Sequence, residues 1–480
     1  MKRTFLVNIV ILILVNLLIK PFYLFGIERK LQFIVGNADY GHYFNVFNFT
    51  LILQFINDFG IQNYTNRLIS QNREESSKIV QPLVGFKIVL SIIYLLATTI
   101  CALIWYGEGL DLAFILHLAF NQILISLIFF LRANISGLGF YKLDSFISIL
   151  DRLLLIIIMG FILYTPMLSE KISISTFVYV QSISLFICVI VSGSILIGHK
   201  YDFKLISIQK SEFWKVLKIC FPFALIYLTS SLFMKADSIW LEKYLTNGHE
   251  EAGIYASCYR LYDALTIISL SFGSLLLAMF ARLHNDLEKI KQLLSTSVSI
   301  LWIIALFCGF TGFFYSEELN LLLNKSNSGY SQKIISILLV AFIPGSINYI
   351  FGAYYQASHR EALLYKLYGA IAIISIILNY FSIPSVKAIG CALTFLIVQL
   401  ILTVVSIIFI KNELKELFAI KYKLLLFSAG LGSVYYVVSS QLNLYYMLEW
   451  IIIGFIGIGL LFLSRIISIG SIKKLWLEKY

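Results

Sequence analysis

The sequence predicts an all-helical, polytopic membrane protein with about 14 transmembrane helices, on three observations. Hydrophobic residues make up 59% of the 480 and charged residues only 13%, with a mean hydropathy of +0.87, more apolar surface than one soluble core can bury. Apolar windows of roughly 20 residues, the length that crosses about 30 Å of hydrocarbon at 1.5 Å per residue, recur from end to end. Lys and Arg gather in alternate loops, which is how a chain records its orientation across a bilayer.

The first apolar run, near 5–25, follows Met1-Lys2-Arg3. It lacks a small-residue cleavage site and continues through Lys20-Pro21 to Gly26, so it reads as helix one rather than as a removed signal. Spans follow near 40–64, 82–106, 112–133, 148–166, 175–198 and 217–241. A second set lies near 254–280, 292–314, 333–356, 362–381, 389–410, 421–439 and 447–465. With the N-terminus inside, the inner loops collect Arg67, Arg73, Lys78, Lys200, Lys204, Lys210, Lys215, Arg282, Lys289, Lys291, Lys411, Lys415 and Lys421, and the tail adds Lys473, Lys474 and Lys479. Roughly 24 of the 37 basic residues fall inside and about 6 outside, so both termini are expected in the cytoplasm.

The net charge of +11 is then a matter of topology and does not imply nucleic acid. Cys101, Cys188, Cys220, Cys258, Cys308 and Cys391 lie in apolar spans without CxxC spacing, so neither a disulfide framework nor a metal site is expected. No cofactor motif is present. The absence of a Walker loop argues against ATP.

The stretch DYGHYFNVFN at 39–48 returns as EAGIYASCYR at 251–260, with Gly41 on Gly253 and Tyr43 on Tyr255. Carried forward, DFG at 58–60 meets SFG at 271–273, for a period of about 212 residues. Six helices separate the copies, an even number, so the two bundles have the same orientation and form parallel repeats. The expected divisions are a six-helix lobe over 1–198, a second over 199–411, and two further helices with a tail over 412–480. Gly41 and Gly253 are expected to supply tight-turn backbone at the outer surface.

The ordered set NLLIKPFYLFG, DFGIQNYTNRLISQNR, LRANISGLGFYKLDSFISILDR, MKADSIWLEKYL and AGIYASCYRLYDAL resembles the Wzx-type oligosaccharide flippases of the multidrug/oligosaccharidyl-lipid/polysaccharide transporter superfamily. The resemblance covers most of residues 5–410. It implies two lobes in a MATE-like arrangement facing a central cavity, with helices 13 and 14 added to a twelve-helix core. It also implies transfer of a polyprenyl-pyrophosphate-linked glycan (an O-antigen, capsule or exopolysaccharide unit) from the inner to the outer leaflet of a bacterial inner membrane. The implied partners are that glycan, membrane lipid, a polysaccharide polymerase and export machinery. The implied drive is an ion gradient or the membrane potential.

Such a substrate carries negative charge into a low-dielectric cavity, so inward-facing Lys or Arg is required, at about 2.5–3.5 kcal/mol each for insertion at mid-helix. The candidates are Lys20, Arg29, Lys87, Arg152, Lys235, Arg260 and Lys366. Arg29 enters through the resemblance, which implies a functional Arg late in helix one. For Arg29 the plain alternative is an exposed loop charge, and for the others a cation near a helix end that snorkels to the interface. Lys20 precedes Pro21, whose ring bends the helix at that cation. Asp58, Asp237 and Asp263 are candidates for carrying a coupling proton or Na⁺, with His117 a weaker one. Arg260 and Asp263, three apart, share a face and can neutralise each other as a structural pair.

Two other functions remain open. A multidrug or cation antiporter of the same superfamily would want an acidic, aromatic cavity. An integral membrane polymerase or acyltransferase would want a large outer loop or a clustered His and carboxylate set. The longest outer loop, near 315–332, is about 18 residues and has no His.

Overall fold

The structure is a computed structural model that describes residues 18–62, 64, 65, 69, 76–107, 111–198, 210–283, 286–324, 328–415, 421–442 and 444–464. The basic start, the loop with Arg67 and Arg73, the loop at 199–209 and the tail with Lys473, Lys474 and Lys479 lie outside the described residues. Every regular element among those described is helical.

The chain forms two compact units, 1–256 and 257–480. Unit 1 holds α1 (18–35), α2 (Asn37–Asp58), α3 (Ser76–Tyr106), α4 (Leu112–Gly137), α5 (Tyr141–Tyr164), α6 (Ile174–Gly198), α7 (Lys210–Lys235) and the short α8 (Asp237–Tyr244). The long α9 (Gly248–Arg282) begins in unit 1 and continues into unit 2. Unit 2 adds α10 (Leu287–Phe314), α11 (Ser316–Asn324), α12 (Gly329–Ala357), α13 (Glu361–Phe409), α14 (Lys421–Val437) and α15 (Tyr446–Ser464).

Eleven of the described helices are long and apolar enough to cross a membrane. One of them, α13, is 49 residues long, about 74 Å at 1.5 Å per residue, more than twice the hydrocarbon thickness. It is interrupted at Lys387, whose backbone leaves the helix at φ 53° and ψ −131°. The two expected spans near 362–381 and 389–410 are therefore joined at a sharp kink that brings Ser382 against Gly390 and Thr394. The 22 residues of α2 are long enough to cross but carry too many Asn, Gln and Tyr to score as apolar. The described residues thus neither reach nor exclude the expected total of about 14.

Side-chain exposure matches lipid as the outer solvent. On α3, Ile88, Ile92, Leu96, Ile100 and Ile104 stand four apart and are exposed, a stripe no aqueous surface would favour. Inside unit 1, Val46, Leu118, Met159 and Phe177 form one core and Phe86, Phe130, Ile147 and Leu196 another. In unit 2, α10 lies so close to α12 that a Cβ on Gly312 would sit 2.2 Å from Leu339 Cβ. There Asn348 Nδ2 donates to Gln399 Oε1 at 2.8 Å, and Thr403 Oγ1 donates to Asn348 Oδ1 at 2.9 Å, a polar knot between α12 and α13. At the C-terminal end Tyr315 OH donates to Glu449 Oε2 at 2.8 Å, tying α15 to the end of α10.

One sequence expectation is corrected. Gly41 and Gly253 are not turn residues: both are helical, in the second turns of α2 and α9. The turn glycine is Gly36, at φ 88°, between α1 and α2. Gly41 and Gly253 are glycine for a different reason, close approach of two helices. A Cβ on Gly41 would lie 1.9 Å from His249 O, and one on Gly253 would lie 2.0 Å from Asn37 O. Gln32 Nε2 seals the crossing by donating to Gly253 O at 2.9 Å. Both copies of the repeated stretch therefore place their glycine at one helix crossing, the small-residue contact that membrane helices use where backbones must touch.

Candidate functional site

Helix α1 does not continue as a regular α-helix past Pro21. Residues Tyr23–Glu28 are π-helical, which follows from the proline, since its missing N–H and its ring disturb the hydrogen-bond ladder around it. A π turn stacks residue i over i+5, and here it lets Tyr23 OH donate to Glu28 Oε1 at 2.5 Å, with Tyr40 OH donating to Glu28 Oε2 at 3.1 Å. The Arg152 guanidinium of α5 lies over the Tyr23 ring, 4.5 Å from its centroid. Lys20, one residue before the proline, is an electrostatic neighbour of Arg152, Asp151 and Arg132. Of the predicted cations, Arg152 therefore stands on the irregular turn of helix one, with Lys20 within its electrostatic range.

The carboxylates there are spread unevenly. Arg132 Nε donates to Asp144 Oδ1 at 2.7 Å, a charge-assisted bond. Arg152 Nε stands 3.6 Å from Asp151 Oδ2, outside hydrogen-bond range, and one-third of its side chain is exposed. Arg132, Tyr23 and Glu28 were not among the sequence candidates. Tyr23 and Glu28 are five apart, a pair that the ordinary helical period does not bring together, and Pro21 was the signal that the period would fail.

The other candidates are distributed. Lys87, only 3% exposed, donates to Asn57 O at 2.7 Å and Asn57 Oδ1 at 3.1 Å, and it also bonds Ser126 Oγ. Its three protons are used within unit 1, next to Asp58. Arg29 stacks on Phe33 at 5.3 Å. Lys235 closes α7, and Asp237 opens α8 across the break at Ala236, accepting from Tyr255 OH at 2.8 Å. In unit 2, Arg260 is buried, and Asp263 follows one turn later on α9 beside Tyr262 and Tyr349. Lys366 on α13 is exposed. The His117 ring bonds Ser182 Oγ through Nε2 at 2.7 Å.

Residues 5–284 match the family model for polysaccharide biosynthesis proteins. Among solved structures, the chain is similar to the lipid II flippase MurJ in an inward closed conformation, with a TM-score of 0.69 at 14% identity, covering 98% of this chain and 100% of that one. It is similar to a MATE transporter in complex with MaL6, with a TM-score of 0.59 at 14% identity over 86% of this chain and 96% of that one. A superfamily transporter from Pyrococcus furiosus, for which reverse polarity of the binding pocket suggests a different function, aligns with a TM-score of 0.58 at 13% identity over 85% and 94%. These similarities establish the fold. No curated protein matches the chain in sequence.

Proposed function

Because the chain belongs to the polysaccharide biosynthesis protein family, we propose that it is a flippase carrying a polyprenyl-pyrophosphate-linked oligosaccharide from the cytoplasmic to the outer leaflet of a bacterial inner membrane. The observation that supports this reading is the Arg152 guanidinium over the Tyr23 ring at the π turn of α1, with its neighbouring carboxylate 3.6 Å away. A pyrophosphate is a stronger partner for a guanidinium than a carboxylate held at 3.6 Å, and it accepts two parallel N–H bonds from the fork. Tyr23 supplies the aromatic face over which the guanidinium lies.

Arg29, Lys235, Arg260 and Lys366 are proposed as further cationic contacts along the path of the glycan. Lys87 is proposed as the cation that organises the inner end of unit 1. Alternating access moves the substrate, with an ion gradient or the membrane potential as the drive. Asp58, Asp237 and Asp263 are the proposed carriers of a coupling ion. Both termini are placed in the cytoplasm, and a polymerase that consumes the delivered repeat unit is the natural downstream partner.

The test is export of lipid-linked glycan in cells whose own copy is deleted. Arg152→Ala should lower surface glycan at least tenfold with unchanged protein in the membrane, and Arg152→Lys should restore only part, because lysine keeps the charge and loses the fork. Full export by Arg152→Ala at matched protein level would overturn the assignment.

A further inference from the structure

Outside the cationic site, a group of side chains converges where the N-terminal ends of α2 and α9 cross. His42 comes from α2, Glu242 from α8 and His249 from α9, all within unit 1. Their candidate ligand atoms lie within 4.8 Å of one another. His42 Nδ1 is 3.5 Å from Glu242 Oε1, and His249 Nδ1 is 3.3 Å from the same oxygen. The two imidazole rings are edge to face, with centroids 4.9 Å apart. We propose that His42, Glu242 and His249 form a binding site for a divalent transition-metal ion of the zinc class, one that clasps α2 to the α8–α9 hairpin.

The spacing carries the assignment. A tetrahedral ion with bonds of about 2.0–2.1 Å holds its ligand atoms about 3.3–3.4 Å apart, and both nitrogen-to-oxygen separations are within a few tenths of an ångström of that. A simple ion pair accounts for less. Two imidazoles on one carboxylate oxygen, if both were charged, would repel each other across 4.9 Å. His42 Nδ1 and Glu242 Oε2 are buried atoms with no hydrogen-bond partner among the described residues, so each is open to a further partner. A metal uses the first directly and accommodates the second as a bidentate or water-bridged oxygen.

The backbone is shaped to hold these groups. His42 stacks on Phe114, with centroids 5.7 Å apart and planes 20° from parallel, which fixes the ring. A Cβ on Gly248 would lie 2.5 Å from Glu242 Cα, so the hairpin folds tightly enough to bring Glu242 beside His249 only because that residue is glycine. The neighbouring cation, Lys243, is drawn away to Trp105, donating to its carbonyl at 3.1 Å and lying 5.3 Å from its ring. Two imidazoles and one carboxylate select zinc, copper, nickel or cobalt over calcium and magnesium. The fourth position is left to water or an exchangeable ligand. Because the ligands come from both sides of the Gly41–Gly253 crossing, bound metal opposes any movement that parts the two turns.

The experiment uses the full chain purified in detergent, its affinity tag removed and its metals stripped with chelator. Zn²⁺ titrated against a chromogenic competitor should bind one equivalent per chain at micromolar or lower dissociation constant, and should raise the unfolding temperature. His249→Ala, at a half-exposed position, and Glu242→Gln should each weaken binding at least tenfold while leaving the metal-free unfolding temperature unchanged. An excess of Ca²⁺ should not displace Zn²⁺. Binding that survives the double variant His249→Ala/Glu242→Gln, or no saturable binding by the native protein, overturns the proposal. Both outcomes are independent of glycan export.

Discussion

Gly41→Ala is the sharpest perturbation of the crossing between α2 and α9. The added Cβ would stand 1.9 Å from His249 O and 2.5 Å from Gly253 N, both backbone atoms that cannot swing aside. An ordinary carbon-to-oxygen approach is about 3.3 Å, so the helices must separate locally by about 1.4 Å. Forcing such a shift costs about 1–3 kcal/mol by the measure of overpacked cores. The helix-propensity gain of alanine over glycine, up to about 1 kcal/mol, returns part of it. If the turns touch in one state of the transport cycle and part in another, the cost falls on the first state alone, and 1–3 kcal/mol moves the balance roughly 5- to 150-fold toward the parted state.

The assay is thiol crosslinking between Cys at Asn37 and Cys at Ile254, neighbours of the Gly253 contact, with the six native cysteines replaced. Gly41→Ala should lower the yield several-fold and slow export. Gly193→Ala, on α6 where a Cβ meets nothing within 4 Å, is the matched control and should change neither. Unchanged crosslinking and export in Gly41→Ala would refute the reasoning that this crossing is a contact of the working cycle.

Other outcomes follow from single residues. Lys87→Met removes the cation that offsets the buried Asp58 carboxyl and leaves Asn57 Oδ1 to Ser91 Oγ alone, so it should lower the unfolding temperature and the amount of membrane protein, by about 3–5 kcal/mol of stability if the lysine leaves an uncompensated carboxylate; lost export at unchanged stability would instead put Lys87 in contact with substrate. Asp286 caps α10, accepting from Lys289 N at 3.2 Å and pairing with Lys289 Nζ at 3.0 Å, which holds its carboxyl below the usual aspartate range. That depression makes its contribution complete above the ordinary aspartate pKa and lost as pH falls through the lowered one, so amide protection in the first turn of α10, relative to the intrinsic rate at each pH, should fall only in acid for the native protein and already at neutral pH for Asp286→Ala. Reporter fusions after Leu287 should behave as cytoplasmic and those after Tyr106 and Asn324 as external, and an external signal at Leu287 would reverse the orientation argued from the basic loops.

Where each helix runs was largely legible, because lipid imposes one rule on every span: about 20 apolar residues with all backbone bonds made internally. The expected spans at 112–133, 175–198 and 292–314 correspond to Leu112–Gly137, Ile174–Gly198 and Leu287–Phe314. What hydropathy cannot register is backbone detail and distant convergence. The π turn at Tyr23–Glu28 is a change of helical period signalled only by Pro21. The glycines of the repeated stretch were legible as special, yet their reason, a crossing between residues more than 200 apart, is a tertiary fact. The same holds for His42, Glu242 and His249, whose sequence spacing fits no metal motif, and for Lys87, whose partners Asn57 and Ser126 come from two other helices.

The composition of α2 is explained by what surrounds it. Asn45, Asn48, Gln54 and Asn57 stand at multiples of three along the helix, and each step of three residues turns about 300°, so the polar row winds around the helix instead of marking one face. Its members accordingly meet different neighbours. Asn45 Nδ2 donates to Tyr106 OH on α3 at 3.3 Å, Asn48 Nδ2 to Ser238 Oγ on α8 at 3.0 Å, Gln54 Oε1 accepts from Tyr227 OH on α7 at 3.1 Å, and Asn57 Oδ1 accepts from Lys87 on α3. Such bonds between membrane helices are worth about 0.6 kcal/mol each on average, less than their number suggests, because a released partner finds another. Helix α2 is thus tied to α3, α7 and α8 by separate side-chain bonds, of which the one to Lys87 is charged. The low hydropathy of α2 therefore follows from the polar side chains it presents to three neighbouring helices, partners that lipid could not supply.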